Sequence, residues 1–406
     1  MKRRILFVDD EPRVLQGLQR MLRSMRHEWQ MAFAGGGKEA LEVLSREPFD
    51  VVVSDMRMPA MDGAELLAEV RRRHPEIVRI VLSGHSEKEL ILKSVLPAHQ
   101  YLSKPCDPEV LKSAVGRASA LRDLLRGDRL KQVVSQMDSL PSLPSLYAEI
   151  VEALHSPDTS IQEVGEIISK DVGMTAKILQ LVNSAFFGLC QHVSSPVQAA
   201  TLLGLETMKA LVLSVQIFSE FDRSALSGPS LESLREHSIM TGVIAKAIAR
   251  EEQPGEAAVD DAFMAGMLHD TGKLVLAAKF PQEYRQTTAR AQEKGIPIHR
   301  AELEIFGTTH SEVGAYLMGL WGLPDSIVEA LAFHHEPHRC PEVGFSPLTA
   351  VHTGNVLDHE RSLAGTGEPL SRIDSDYLKD GGMIERLPVW RTAGLEAAEK
   401  GENDDG

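Results

Sequence analysis

The hydrophobic pattern changes character partway along the chain. In the N-terminal part, short runs rich in Val and Ile alternate with segments of helical period. The runs are ILFVDD (5–10), QMAFA (30–34), VVVSD (51–55), RIVLSG (79–84) and QYLSKP (100–105). Unbroken apolarity over so few residues predicts strands buried on both faces. Intervening segments such as AELLAEVRRRHP (64–75) predict helices. Strands alternating with helices predict an α/β, doubly wound sheet of five parallel strands.

A further helix begins near Pro108 and carries Ala114, Ala118, Leu121 and Leu125. That spacing makes a coiled-coil-like seam. The seam breaks at Gly127-Asp128 and resumes with Leu130, Val133, Val134 and Met137. It predicts either an ordinary amphipathic helix that covers the sheet or a helical linker that transmits a signal and offers a contact for a homodimer. LPSLPSLY (140–147) marks a boundary through its prolines. Beyond it strand signals nearly vanish. Ser160 with Glu163 forms a capping box. Helices are expected over 174–188, 195–218, 237–252, 259–278, 310–320 and 324–335. The fold is therefore multidomain, an α/β unit followed by an all-α bundle.

The length of 406 residues accommodates such a division. No stretch approaches the ~18 to 20 apolar residues that a membrane span needs. The opening MKRRILFVDD is too short in its apolar part for a signal peptide. Cys106, Cys190 and Cys340 are widely spaced, which favours reduced thiols and a cytoplasmic setting. Charge is uneven: residues 1–126 hold 21 basic and 18 acidic residues, and the remainder 22 and 40. The acidic part would be repelled by phosphate backbones, so neither DNA nor a membrane is an expected partner.

The predicted strand ends carry chemistry. The first ends in Asp9-Asp10, the third in Asp55, the fourth in Ser83 and the fifth in Lys104-Pro105. In doubly wound sheets functional groups gather beyond the carboxyl ends of the strands. Clustered carboxylates repel one another unless a cation sits among them, and hard oxygen donors suit Mg²⁺. This set, with DMRMPAMDG (55–63) and KP (104–105), resembles the receiver domain of two-component response regulators over about residues 1–122. The resemblance implies that Asp55 accepts a phosphoryl group from a sensor histidine kinase. It implies Mg²⁺ held by Asp9, Asp10, Asp55 and the backbone carbonyl of Arg57. Lys104 would pair with the phosphate, Ser83 would hydrogen-bond it, and Tyr101 would be the switch aromatic.

The second half resembles the HDOD domain, an output domain related to the HD phosphohydrolases, through IISKDVGMTAKILQLVNSAFFG, VSSPVQAATLLGLETMKALVL and HSEVGAYLMGLWGLPDSIVEALAFHHEP. That implies a helical, non-catalytic, protein-binding module acting on a downstream signalling protein. The related phosphohydrolases hold one or two divalent transition metals on a His, a His-Asp pair and a later Asp. His237, the pair His269-Asp270, and His310, His334 and His335 stand where such ligands would. Two departures weigh against catalysis. The final acid aligns with Asn355, Asp358 lying one turn later, and HHEPHRCPEVG replaces a glycine-rich substrate loop. Adjacent helical residues also point ~100° apart, so His334 and His335 share a metal only if a helix ends there. Lys273 can face phosphate or cap the pocket.

The expected divisions are a receiver at 1–122, a helical linker at 123–138, an HDOD domain at 139–343 and a helical extension at 344–406. Leu378, Met383, Ile384, Leu387 and Trp390 should dock that extension on the bundle. The final seven residues should be disordered.

Overall fold

The computed structural model describes residues 2–83, 98–104, 106–124, 128–135, 137, 140–142, 144–156, 159–183, 193–209, 219–220, 231–253, 255–341, 344–362 and 372–404. Five parallel strands form the N-terminal sheet: β1 (Arg3–Val8), β2 (Trp29–Ala34), β3 (Val51–Asp55), β4 (Val78–Ser83) and β5 (Gln100–Ser103). Their order is β2-β1-β3-β4-β5. Ile5, Leu6, Phe7, Val51 and Val52 are fully buried, because helices cover both faces of the sheet. This is the doubly wound architecture that the short apolar runs predict.

The strands stop at Val8 and Ser103, slightly before the ends of the apolar runs. Asp9, Asp10 and Lys104 therefore stand just past the sheet, on its carboxyl rim. The helices of this unit are α1 (Pro12–Met21), α2 (Gly37–Arg46), α3 (Gly63–Arg73) and α4 (Pro108–Leu124). Helix α3 opens on a reciprocal capping box between Asp62 and Glu65. A Cβ at Gly63 would overlap the carbonyl oxygen of Asp55, so only glycine lets this helix start against the end of β3.

The remainder is helical. Its helices are α5 (Asp128–Ser135), α6 (Pro144–His155), α7 (Ile161–Ser169), α8 (Val172–Asn183), α9 (Pro196–Leu203), α10 (Leu205–Lys209), α11 (Leu231–Glu252), α12 (Glu256–Leu268), α13 (Thr271–Lys279), α14 (Pro281–Lys294), α15 (Ile298–Phe306), α16 (His310–Leu320), α17 (Asp325–Phe333), α18 (Pro347–Ser362), α19 (Ser375–Asp380) and α20 (Leu387–Asp404). Ser160 accepts from the backbone N–H of Glu163 and caps α7. A two-residue parallel ladder joins Pro141–Ser142 to Ser219–Glu220.

Several expected elements are interrupted. The segment 259–278 is two helices, α12 and α13, that break at His269-Asp270. The segment 195–218 breaks at Gly204, whose φ of 76° lies in the region that favours glycine. Helix α17 ends at Phe333, before the two histidines.

One expectation is corrected. Helix α20 runs through Asp404, across most of the stretch expected to be disordered. Its start is anchored: Trp390 is fully buried and its Nε1–H donates to Glu252 Oε1 at 2.8 Å. Once a first turn is held, adding Ala, Glu and Lys residues to a helix costs little. Among the described residues, part of the linker seam packs within the chain. Leu130, Val134 and Met137 are buried, and α4 and α5 pack against α16.

Candidate functional site

The carboxyl rim of the sheet brings Asp9, Asp55 and Lys104 together. Lys104 Nζ donates to Asp9 Oδ2 at 2.7 Å and also to Asp55 Oδ1. The other oxygen of Asp9 accepts from the N–H of Glu11 at 2.9 Å, and Asp55 Oδ2 accepts from the N–H of Arg57 at 2.8 Å. Both carboxylates are buried. Burial raises the Asp55 carboxyl above its ordinary value, with Lys104 opposing. Burial works against the Lys104 ammonium, yet hydrogen bonds to Asp55 and Asp9 raise its pKa overall. Asp10 stands on the same loop, half-buried. The side chains of Ser83 and Tyr101, and Pro105, lie outside the described residues.

A second cluster lies inside the helical bundle. Helices α11 and α12 approach to backbone contact: a Cβ on Gly266 would come within 2.6 Å of Gly242 Cα. This brings His237 of α11 beside His269, with ring centroids 5.1 Å apart. Helix α13 begins against the start of α16, because Gly272 has no Cβ to strike the carbonyl of His310. A capping box on Thr309 and Glu312 starts α16 with His310 inward. Since α17 has already ended, His334 and His335 both turn to the same place, with ring centroids 4.0 Å apart. The helix end that the shared site requires is present.

Two groups of potential ligand atoms result, each with its members within 4.8 Å of one another: Asp270, His310, His334 and His335, and His237, His269 and Asp270. Asp270 belongs to both. The structure thus gathers every histidine that the HD-type pattern singles out.

The outer nitrogens of these rings are tied down. Nδ1 contacts Asp358 Oδ2 at 2.6 Å in His237, Gly266 O at 2.6 Å in His269, Glu302 Oε2 at 2.7 Å in His310 and Leu331 O at 2.8 Å in His334. A carbonyl only accepts, so His269 and His334 carry their proton on Nδ1 and present a bare lone pair at Nε2. Nε2 of His237, His269 and His334 is buried, with no hydrogen-bond partner among the described residues. His310 Nε2 lies 3.0 Å from His335 Nε2 and 3.1 Å from Asp270 Oδ1. Among the described residues, Asp270 Oδ1 meets the geometric criterion of a hydrogen bond with none. Buried polar atoms left unpaired are costly, and a cation among them would satisfy several at once.

Protonation states suit the same purpose except at His310, where burial lowers the pKa but Glu302 and Asp270 raise it overall. Burial pushes His269 down to about 3. Burial, followed by neighbouring histidines, holds His334 and His335 well below the ordinary value. Burial opposes ionisation of Asp270, but His269, Lys273 and His310 hold its carboxyl well below the usual range. Neutral imidazoles and an ionised carboxylate are the ligand forms of these groups. Nitrogen donors mixed with one carboxylate suit Zn²⁺, Mn²⁺ or Fe²⁺. Lys273 Nζ donates to Asp270 Oδ2 at 2.6 Å, at the edge of the cluster.

Asp358, one turn after the aligned position, joins the cluster through His237. Asn355, the aligned position, is buried, and its Oδ1 has no partner among the described residues. Sequence reasoning missed Glu302, the carboxylate behind His310. It also missed His299 and His359, whose rings stack on His335 at 4.2 Å and on His237 at 4.5 Å. Neither histidine belongs to a paired motif, so neither carries a local signal.

Comparison with known proteins finds two families in the chain. Residues 5–116 match the response regulator receiver domain, and residues 140–337 match the HDOD domain. An uncharacterized protein of Treponema pallidum is 29% identical over 222 residues, 54% of this chain and 42% of that protein. The hydrogenase transcriptional regulatory protein HoxA of Cupriavidus necator is 38% identical over 181 residues, 41% of this chain and 37% of that protein. The chain thus spans less than half the length of these relatives. Among solved structures, the MmoQ response regulator of Methylococcus capsulatus aligns over 61% of this chain and 97% of its own, at 23% identity and a TM-score of 0.47. Among the described residues, no helix is long and apolar enough to cross a membrane.

Proposed function

This chain carries a response regulator receiver domain followed by an HDOD domain, the make-up of a two-component response regulator, and from that premise we propose that phosphoryl transfer to Asp55 regulates a non-catalytic, protein-binding output domain. The donor is a sensor histidine kinase, and the setting is cytoplasmic. A carboxylate oxygen of Asp55 attacks phosphorus, the P–N bond to the kinase histidine breaks, and that imidazole leaves with the bonding electrons. Such transfer is largely a matter of positioning and charge neutralisation. The observation that carries the reading is Lys104, held on Asp9 and Asp55 together. Its ammonium is in place to meet the new phosphoryl oxygens. Three carboxylates, Asp9, Asp10 and Asp55, with the Arg57 carbonyl, form an all-oxygen donor set that fits Mg²⁺, which when bound neutralises charge on the transferring group. Ser83 then hydrogen-bonds a phosphoryl oxygen and Tyr101 turns inward. Labelling with acetyl phosphate and Mg²⁺ tests this. Incorporation should disappear in Asp55→Asn; retained labelling would place the acceptor elsewhere.

A second reading is favoured by the unpartnered Nε2 atoms of His237, His269 and His334. In it, the output domain holds a divalent transition metal and acts as a receiver-gated phosphohydrolase on a nucleotide or cyclic dinucleotide. His237, His269, Asp270, His310, His334 and His335 would hold the metal, which supplies an activated water for attack on phosphorus. Asn355 and the missing glycine-rich loop weigh against turnover. Metal analysis of the purified protein beside the His269→Ala/Asp270→Ala variant decides occupancy. Hydrolysis of a nucleotide panel by the metal-loaded protein then decides between a binding module and an enzyme.

A further inference from the structure

One helix joins the His/Asp cluster to the receiver unit. Helix α16 begins with His310, whose Nε2 lies 3.1 Å from Asp270 Oδ1. Nine residues on, about 14 Å along the axis at ~1.5 Å per residue, the carbonyl of Gly319 accepts from Gln100 Nε2 at 3.1 Å. Between them, Tyr316 OH and Ser135 Oγ are 3.0 Å apart. Gln100 is on β5, four residues before Lys104. Ser135 closes α5, and its carbonyl accepts from Arg79 Nη2 of β4 at 2.9 Å and from His99 Nε2 at 2.8 Å. Gln180 of α8 ties the same edge down, donating to the carbonyl of His99 at 3.2 Å.

Every member of this connection is buried. His310, Tyr316 and Ser135 are fully buried, and Arg79, His99 and Gln100 nearly so. Close-packed interiors do not absorb a displacement locally; they pass it on or repack. Backbone packing also fixes the output end, since α13 and α16 meet at Gly272 and Gly314, each facing atoms of the other helix. The edge of the receiver sheet, which would otherwise present unpaired backbone groups, is thus joined through one rigid element to the nitrogen that faces Asp270.

We propose that α16 couples the phosphorylation of Asp55 to cation affinity at the His/Asp cluster, with Gln100, Ser135 and Tyr316 as positioning residues. This rests on the reading that the cluster binds a metal. Phosphorylation redirects Lys104 from the Asp9 and Asp55 carboxylates toward the phosphoryl oxygens. The displacement enters β5 four residues from Gln100, and α16 carries it to His310. Linkage makes the coupling reciprocal, so a cation in the cluster biases the receiver by the same factor.

The test is a Zn²⁺ titration of the full chain with Mg²⁺ in excess, before and after acetyl phosphate treatment. Zinc prefers the nitrogen-rich cluster over the all-oxygen receiver site. The His269→Ala/Asp270→Ala variant corrects for zinc bound elsewhere. Affinity should differ at least about fivefold between the two states, the lower end of measured couplings. Gln100→Ala and Tyr316→Phe should each reduce that difference while leaving acetyl phosphate labelling intact. Zinc bound at the cluster with equal affinity in both states overturns the coupling and leaves the metal reading standing. Zinc unaffected by the double substitution overturns both.

Discussion

Asp358 Oδ2 stands 2.6 Å from His237 Nδ1, and Nε2 of the same ring lies 3.8 Å from Asp270 Oδ2. A carboxylate behind a histidine fixes the ring and its tautomer and raises the basicity of the outward nitrogen. Asp358 is itself held ionised: burial opposes this, but His237 and Arg361 lower its carboxyl. If the cluster binds Zn²⁺, Asp358→Asn should weaken that binding roughly 10- to 100-fold. Competition with a chelator measures it, and an unchanged affinity would show that His237 takes no part.

Gly272 is where α13 meets α16. Because a Cβ there would overlap the carbonyl of His310, Gly272→Ala must push the two helices apart. Overpacking of this kind costs about 1–3 kcal/mol. A lower urea midpoint is expected, together with weaker zinc binding, because the same shift moves His310 away from Asp270. A stability equal to the parent would mean that α13 and α16 separate without strain.

Acid should destabilise the receiver–output junction. Burial, then the nearby Arg79 charge, holds His99 well below its ordinary value. The neutral ring accepts the Arg79 N–H at Nδ1 and donates from Nε2 to the Ser135 carbonyl. Below pH ~6.5 the unfolded chain takes up a proton that the folded ring refuses, so stability falls as pH drops through that range and levels off above it. Each such histidine contributes a slope of up to ~1.4 kcal/mol per pH unit. His269, near 3, and His299 and His359, near 4, act in the same direction. His310 is raised and acts in the opposite one, its contribution being complete at low pH and lost as pH rises. Urea unfolding between pH 5 and 7 should show this slope, reduced by one proton in His99→Gln. An identical slope in that variant would mean His99 takes up its proton without cost.

The C-terminal extension should be integral to the bundle. Trp390 is fully buried, and Glu252 Oε1 accepts both its Nε1–H and the Nε–H of Arg386. Trp390→Ala should cost about 3–5 kcal/mol, read as a fall in the unfolding midpoint. A change under ~0.5 kcal/mol would mark α20 as a detachable appendage.

Much of the candidate chemistry was legible in the linear pattern. Asp9, Asp55 and Lys104 each follow an apolar run, and the end of a buried strand is where a parallel sheet delivers its side chains to one rim. His269-Asp270 was legible as a pair. These features repeat over a few residues, so local periodicity carries them. Glu302, His299 and His359 have no such period and were not legible.

Sequence alone determined that this chain is a doubly wound α/β unit joined to a helical bundle, and which residue types stand at the strand ends. Both follow from burying apolar residues at the period of each element. Only tertiary structure decided that α17 stops in time for His334 and His335 to face one place, and that Asp358 serves the cluster through His237. It alone decided that Gln100 meets Gly319 across 219 positions. The reason is physical: a helix end, a second carboxylate and an interdomain hydrogen bond depend on which backbones pack together, and chain order leaves that contact to the fold.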